Sequence, residues 1–249
     1  MRILGVIPAR YGSTRFSGKP LVPVAGKPLL QWVIEGAKTS TMLSDVWVAT
    51  DHKEIFILAE KCGVKAVMTD STLPSGSDRV WAAIQNEDCD IAVNIQGDEP
   101  LLTGELLDSL VGPFFDDSQV EMSTLGCPLE EDDLESLSRV KIVINKRNEA
   151  IYFSRLPIPF SRVDVKQLSG VCCKHIGLYA YRKQFLQRFC EQGPVDLEKA
   201  ENLEQLRALY LGARIRVVGV KHGSWGVDSP EDVAKIDAII QTGRGHGRT

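Results

Sequence analysis

Residues 91–100 read IAVNIQGDEP. Ile91–Ile95 is apolar, partly β-branched and free of Pro and Gly, which predicts a strand buried on both faces. Gly97 lets the backbone turn, and Pro100 ends the pairing. Asp98 then sits just past the carboxyl end of a central strand, where open α/β sheets hold their ligands. Two readings of this carboxylate stand open: a solvated turn acid, or a ligand that holds Mg²⁺ against a phosphate.

Working outward toward the N-terminus, the spacing predicts helices near 75–85, 53–62 and 29–39 and strands at 65–68, 46–50 and 3–8. A hydroxyl or carboxylate within Ser75-Gly76-Ser77-Asp78 is the candidate N-cap, and Gly63 closes the helix before it. Strands alternating with helices of about ten residues imply right-handed βαβ units and a parallel sheet covered on both faces. The strand at 3–8 runs into the loop Ala9–Pro20, which carries Arg10, Arg15 and Lys19, two glycines and the hydroxyls of Ser13, Thr14 and Ser17. Such a loop suits a polyphosphate, since backbone N–H groups, forked guanidinium groups and a point-charge ammonium all bind phosphate oxygens. It is not a Walker A loop: five residues separate Gly12 from Gly18, and Pro20 follows Lys19.

Toward the C-terminus the rhythm changes. Helices are expected near 106–115 and 130–137, a strand at 122–127, and a hairpin from 140–145 and 150–153. An extended, Pro-punctuated stretch at 155–160 leads to a polar loop at 161–171. A half-buried strand at 175–181 precedes helices at 183–192 and 198–211 and a last strand at 215–220. Ser229-Pro230-Glu231-Asp232 is a capping box that launches a helix to about Ile240, and 243–249 is a tail. The whole reads as one α/β domain over 1–249. It divides into a nucleotide-binding part at about 1–121, an extension at about 122–181, and C-terminal helices with a last strand at about 182–242.

Composition narrows the function classes. The 249 residues are 43% hydrophobic and 25% charged, ordinary globular values. A net charge of −4 gives no reason to expect nucleic-acid binding, and no apolar run is long enough to predict a membrane span. The chain enters a strand at once, which speaks against a signal peptide and for the cytoplasm. Six cysteines without CxxC or Cys/His spacing read as reduced thiols.

Several polar residues await a role. Asp228 is either an acid favoured by a helix dipole or a second metal carboxylate. His175 and Tyr179, four apart, share one strand face, either as structural residues or as ligand contacts. Glu204 and Gln205 interrupt an apolar-periodic helix, as a solvated face or as part of a site.

Together these segments resemble the 3-deoxy-manno-octulosonate (Kdo) cytidylyltransferase family. The matching stretches are IPARYGSTRFSGKPL (7–21), VATDH (48–52), SGSDR (75–79), VNIQGDEP (93–100), YFSR with IP nearby (152–159), HIGLYAYR (175–182), LEQLR (203–207) and GVDSPEDV (226–233). They follow the family order and cover nearly the whole chain. The resemblance implies a Rossmann-like nucleotidyltransferase with a mixed, mostly parallel central sheet, helices on both faces and a smaller β-rich extension for sugar binding and dimer contact. It implies that CTP and Kdo, or its 8-amino analogue, give the CMP-sugar and pyrophosphate with Mg²⁺, for lipopolysaccharide synthesis. Arg10, Arg15 and Lys19 would bind the triphosphate, and Ser75 and Arg79 the nucleoside end. Asp98 and Asp228 would hold metal, Asp98 with CTP and Asp228 a second ion beside the sugar. Gln96, Arg155, Arg162, His175, Tyr179, Glu204 and Gln205 would form the sugar pocket. A homodimer is implied, with 122–181 as its interface. Ser17, Ser77-Asp78 and the Ser224-Trp225 pair depart from the family pattern. A synthetase for another acidic sugar, such as a sialic acid, would share the first loop. A non-catalytic nucleotide sensor would not need both carboxylates.

Overall fold

The structure is a computed structural model that describes residues 1–12, 16–160, 162, 164–168, 170–223, 225–227 and 229–242. It begins with β1 (Ile3–Ala9), in which every residue but Pro8 is buried. After the basic loop, β2 (Pro23–Val24) and β3 (Lys27–Pro28) form a small hairpin turning at Ala25-Gly26, both at positive φ. Then come α1 (Leu29–Ala37), β4 (Asp45–Thr50), α2 (Lys53–Lys61), β5 (Lys65–Met68), α3 (Gly76–Ile84) and β6 (Ile91–Asn94). Their boundaries agree with the periodicity to within a residue or two at each end.

The strands pair in the order β6–β1–β4–β5, all parallel. Continuous apolar runs such as Ile91–Val93, wholly buried, are what a sheet covered on both faces demands. Val6 lies opposite Asn94, and Ala9 lies opposite Thr50. The segments leaving β1, β4 and β6 therefore emerge together at one edge.

The helix expected over 106–115 is two: α4 (Gly104–Val111) and α5 (Pro113–Asp116). Pro113 has no N–H to continue the first helix and instead opens the second. Next come β7 (Met122–Cys127), α6 (Glu131–Glu135), β8 (Lys141–Ile144), β9 (Ala150–Ser154), β10 (Cys172–Arg182), α7 (Lys183–Gln192), α8 (Asp196–Glu201), α9 (Leu206–Tyr210) and β11 (Ile215–Gly219). Here the order is β11–β7–β10–β8–β9, parallel only between β11 and β7. The β8–β9 hairpin is as expected, and β10 is longer than the predicted 175–181. The expected helix over 198–211 is also two, because Asn202 takes a left-handed conformation (φ 53°) at the end of α8.

The chain ends its described course in α10 (Pro230–Gln241), opened by the reciprocal Ser229–Asp232 capping box. Ile236 packs with Val24, Leu29 and Leu101, and Asp237 Oδ1 accepts from Ala25 N at 2.5 Å. Contacts divide the chain into two compact units: residues 1–108 with the segment from 224 onward, and residues 109–223. Taken over both, the fold is α/β with mixed, mostly parallel strand pairing.

The second unit holds a buried charge. Arg207 is 0% exposed, donates to Glu198 from Nε (2.9 Å) and Nη2 (2.7 Å), and lies 4.3 Å from the Phe189 ring centroid. This fork ties α8 to α9 across the Asn202 break. Removing one partner of a buried pair strands the other charge, so Glu198→Ala should cost about 3 kcal/mol. The check is the urea midpoint, with Glu198→Gln losing less because it retains an acceptor.

Candidate active site

In the first unit a pocket of about 280 Å³ opens where β1 and β6 end, lined by Arg10, Lys19, Ser75, Gly76, Arg79, Gln96 and Asp98 among others. Lys19 follows Gly18, which sits at φ 70°, a conformation that glycine adopts without strain. The turn is closed by Gly18 N donating to Tyr11 O at 2.9 Å. Lys19 Nζ donates to Asp98 Oδ2 at 2.6 Å. Gly97 must stay small: a Cβ there would come within 3.2 Å of Pro8 O. The strand end thus packs against β1 and delivers Asp98 to the pocket.

The opposite wall is the start of α3. Ser75 Oγ accepts from Asp78 N at 3.2 Å, so of the hydroxyls and carboxylate in this stretch Ser75 is the N-cap. Exposed N–H groups and the dipole of such an end favour an anion. Arg79 is only 3% exposed and is committed within the protein, donating to Thr69 Oγ1 (2.5 Å) and Asp51 Oδ2 (3.2 Å). Asp51 Oδ1 in turn accepts from Tyr11 N at 3.1 Å. One carboxylate therefore ties the basic loop to α3. Asp51 stands in the VATDH stretch with no role assigned to it, because its two partners lie 40 and 28 residues away.

The second unit gathers another polar group. His175 lies opposite Gly126 and Tyr179 opposite Thr124, two residues apart on β7, so both keep one face despite a bulge between Ile176 and Tyr179. Their ring centroids are 5.5 Å apart. Tyr179 OH donates to Gln205 Oε1 at 3.1 Å, while Gln205 Nε2 is buried with no partner among the described residues. An orphaned donor of that kind is costly unless a ligand or water completes it. His175 Nε2 lies 2.9 Å from Thr124 Oγ1, another residue that the sequence did not single out. Burial pushes the His175 pKa down to about 3, so the ring is neutral at physiological pH.

Arg155 turns inward to the protein, donating to the carbonyls of Glu201 (2.9 Å), Leu137 (3.1 Å) and Asn202 (3.1 Å). Glu204 is half-buried just before α9, and Arg162 is exposed. Arg15 and Asp228 lie outside the described residues. Among the described residues no three His, Cys, Asp or Glu side chains cluster to hold a metal, and no helix is long and apolar enough to cross a membrane.

Comparison with known proteins decides the family. A family model described as Cytidylyltransferase matches residues 4–215. The 3-deoxy-manno-octulosonate cytidylyltransferase of Bdellovibrio bacteriovorus is 57% identical over 244 residues, 97% of this chain and 99% of that one. The chain belongs to the 3-deoxy-manno-octulosonate cytidylyltransferase family. The enzyme of that name from Acaryochloris marina is 42% identical, over 98% of this chain and 99% of its own. A solved structure of CMP:2-keto-3-deoxy-manno-octonic acid synthetase complexed with CTP superposes with a TM-score of 0.91, at 37% identity, covering 98% of this chain and 100% of that one. Members of this cytidylyltransferase family are nucleotidyltransferases, and the fold described above is theirs.

The neutral His175 has a measurable consequence. Unfolded, its imidazole takes a proton near the ordinary pKa of 6.5; folded, only near 3. Between those values the unfolded chain binds more protons, so folding loses stability as pH falls. His175→Asn should therefore lose less stability than the wild type between pH 7 and pH 5, read as the change in urea midpoint.

Proposed function

We propose that this chain transfers the cytidylyl group of CTP to the anomeric hydroxyl of a Kdo-type sugar acid, Kdo or its 8-amino analogue, and releases pyrophosphate. The observation that carries this reading is the pocket at the ends of β1 and β6. There Lys19, Arg10 and the N-terminus of α3 surround the single carboxylate of Asp98. Cations and a helix N-terminus suit a triphosphate, and one carboxylate suits a cation that arrives on it. Mg²⁺ keeps near-octahedral oxygen ligation, commonly one or two carboxylates plus substrate phosphates, so Asp98 would hold the ion that comes with CTP, and Asp228 a second ion beside the sugar. When bound, Mg²⁺ would neutralise charge developing on the attacked phosphoryl group.

The chain's own residues do the rest. Lys19 exchanges the Asp98 carboxylate for phosphate oxygens, and with Arg10 and Arg15 it holds the pyrophosphate as it leaves. Ser75 and Arg79 form the nucleoside end, Arg79 acting through Asp51 and Thr69. The anomeric oxygen forms its bond to the α-phosphorus as the α–β bridging bond breaks, and the hydroxyl proton passes to solvent. Gln205 Nε2, Tyr179, His175, Glu204, Gln96 and Arg162 bind the sugar acid. Arg155, spent on three carbonyls, fixes the segment after β9.

We further propose a homodimer in the cytoplasm. Leu137, Ile151, Leu156 and Phe160 of the second unit expose apolar side chains, Phe160 at 88%, which a dimer contact would cover. All six cysteines are free thiols, as a reducing compartment maintains.

A pyrophosphate-release panel of four nucleotides against Kdo, 8-amino-Kdo and a sialic acid tests the reading. CTP with a Kdo-type acid should be the productive pair, and productive turnover of the sialic acid alone would overturn it. Asp98→Asn should keep the fold and much of the CTP affinity yet lose about two orders of magnitude in turnover. Near-normal turnover at saturating Mg²⁺ would remove Asp98 from the metal.

A further inference from the structure

Thr124 lies on β7, 0% exposed. Its hydroxyl has three neighbours: His175 Nε2 at 2.9 Å, Leu178 O at 2.9 Å and Ile176 O at 3.2 Å. The bulge in β10 brings both carbonyls to one side chain.

A hydroxyl has one hydrogen, and a carbonyl oxygen can only accept. If Thr124 gave its hydrogen to His175, its oxygen would face two carbonyl oxygens with no hydrogen between, buried from water. The hydrogen therefore goes to a carbonyl, Leu178 O being the nearer, and the Thr124 lone pair accepts from His175 Nε2–H. The ring packs against two aromatic neighbours, Phe153 edge-on at 5.2 Å and Tyr179 tilted at 5.5 Å between centroids. His175 Nδ1 has no hydrogen-bond partner among the described residues.

We propose that Thr124 is a positioning residue that holds His175 as the neutral Nε2–H tautomer, so that Nδ1 presents a lone pair to a hydroxyl of the sugar acid. The hydroxyl donor rests on the function proposed above; the tautomer does not. A bare Nδ1 repels a carboxylate and accepts from O–H. The sugar's carboxylate must then find an arginine elsewhere, and His175 reads a hydroxyl. The desolvation that keeps the imidazole neutral works in the same direction.

The test is long-range ¹H–¹⁵N correlation NMR of the ¹⁵N-labelled enzyme at neutral pH. His175→Asn identifies the His175 signals among those of the four histidines. The wild type and Thr124→Ser should show a protonated Nε2 and a bare Nδ1. Thr124→Val, which keeps the shape but offers no acceptor, should shift toward a mixture of tautomers. A protonated Nδ1 in the wild type, or an unchanged pattern in Thr124→Val, overturns the proposal. Adding Kdo with a non-hydrolysable CTP analogue should move the Nδ1 resonance upfield; a stationary resonance overturns the hydroxyl contact. In turnover, Thr124→Val should raise KM for Kdo about tenfold, the loss of one well-formed hydrogen bond. KM for CTP should be unchanged, and Thr124→Ser should restore KM for Kdo. Equal loss in both KM values would mark Thr124 as merely structural. Failure of the proposed function appears separately, as a wild type that releases no pyrophosphate from CTP and Kdo.

Discussion

Lys19 and Asp98 meet at 2.6 Å, with side-chain exposures of 15% and 31%. Each neutralises the other in a site built for larger charges. A partly exposed pair of this kind is worth only about 1 kcal/mol at most, so a triphosphate carrying its own cation can open it readily. In the function proposed above, lysine then turns to phosphate and aspartate to the cation. The ion pair brings two loops separated by 79 residues to one point, and most of the first unit serves to hold them there.

That support is the parallel pairing of β1 between β6 and β4. The register of β1 against β6 sets Asp98 beside the basic loop, and the register of β1 against β4 sets Asp51 beside Tyr11. Asp51 then reaches Arg79, so the basic loop and α3 share one carboxylate. The second unit uses a different device. A bulge in β10 converges two carbonyls on Thr124, and Thr124 orients His175.

Much of this was legible in the sequence where the cause is local. Buried strands such as Ile91–Ile95, the Ser75 cap and the Ser229–Asp232 box act over a few residues, and the structure has them where periodicity put them. Breaks in long helical patterns were not legible. Asn202 and Pro113 each end a helix whose apolar spacing continues, because spacing does not reveal a left-handed residue or a missing N–H. The two-residue strands at 23–24 and 27–28 are too short for any period. Residue types pointed to Lys19 and Asp98 in the first unit and to His175 and Tyr179 in the second. The partners that orient or occupy them were hidden: Asp51 and Thr124 act over tens of residues. Arg155 likewise gives no sign in the sequence of the three carbonyls to which it donates.

If Lys19 masks Asp98 until the nucleotide arrives, metal and CTP bind as one. Calorimetric titration of Mg²⁺ with and without CTP, and of CTP with and without Mg²⁺, tests it most directly in the wild type and in Lys19→Met. Masking means weak Mg²⁺ uptake by the nucleotide-free wild type and an equal, reciprocal tightening of each ligand by the other. Lys19→Met should bind Mg²⁺ more tightly without nucleotide while binding CTP less well. Mg²⁺ affinity in the free wild type that equals its affinity with CTP present, and that Lys19→Met leaves unchanged, would contradict it.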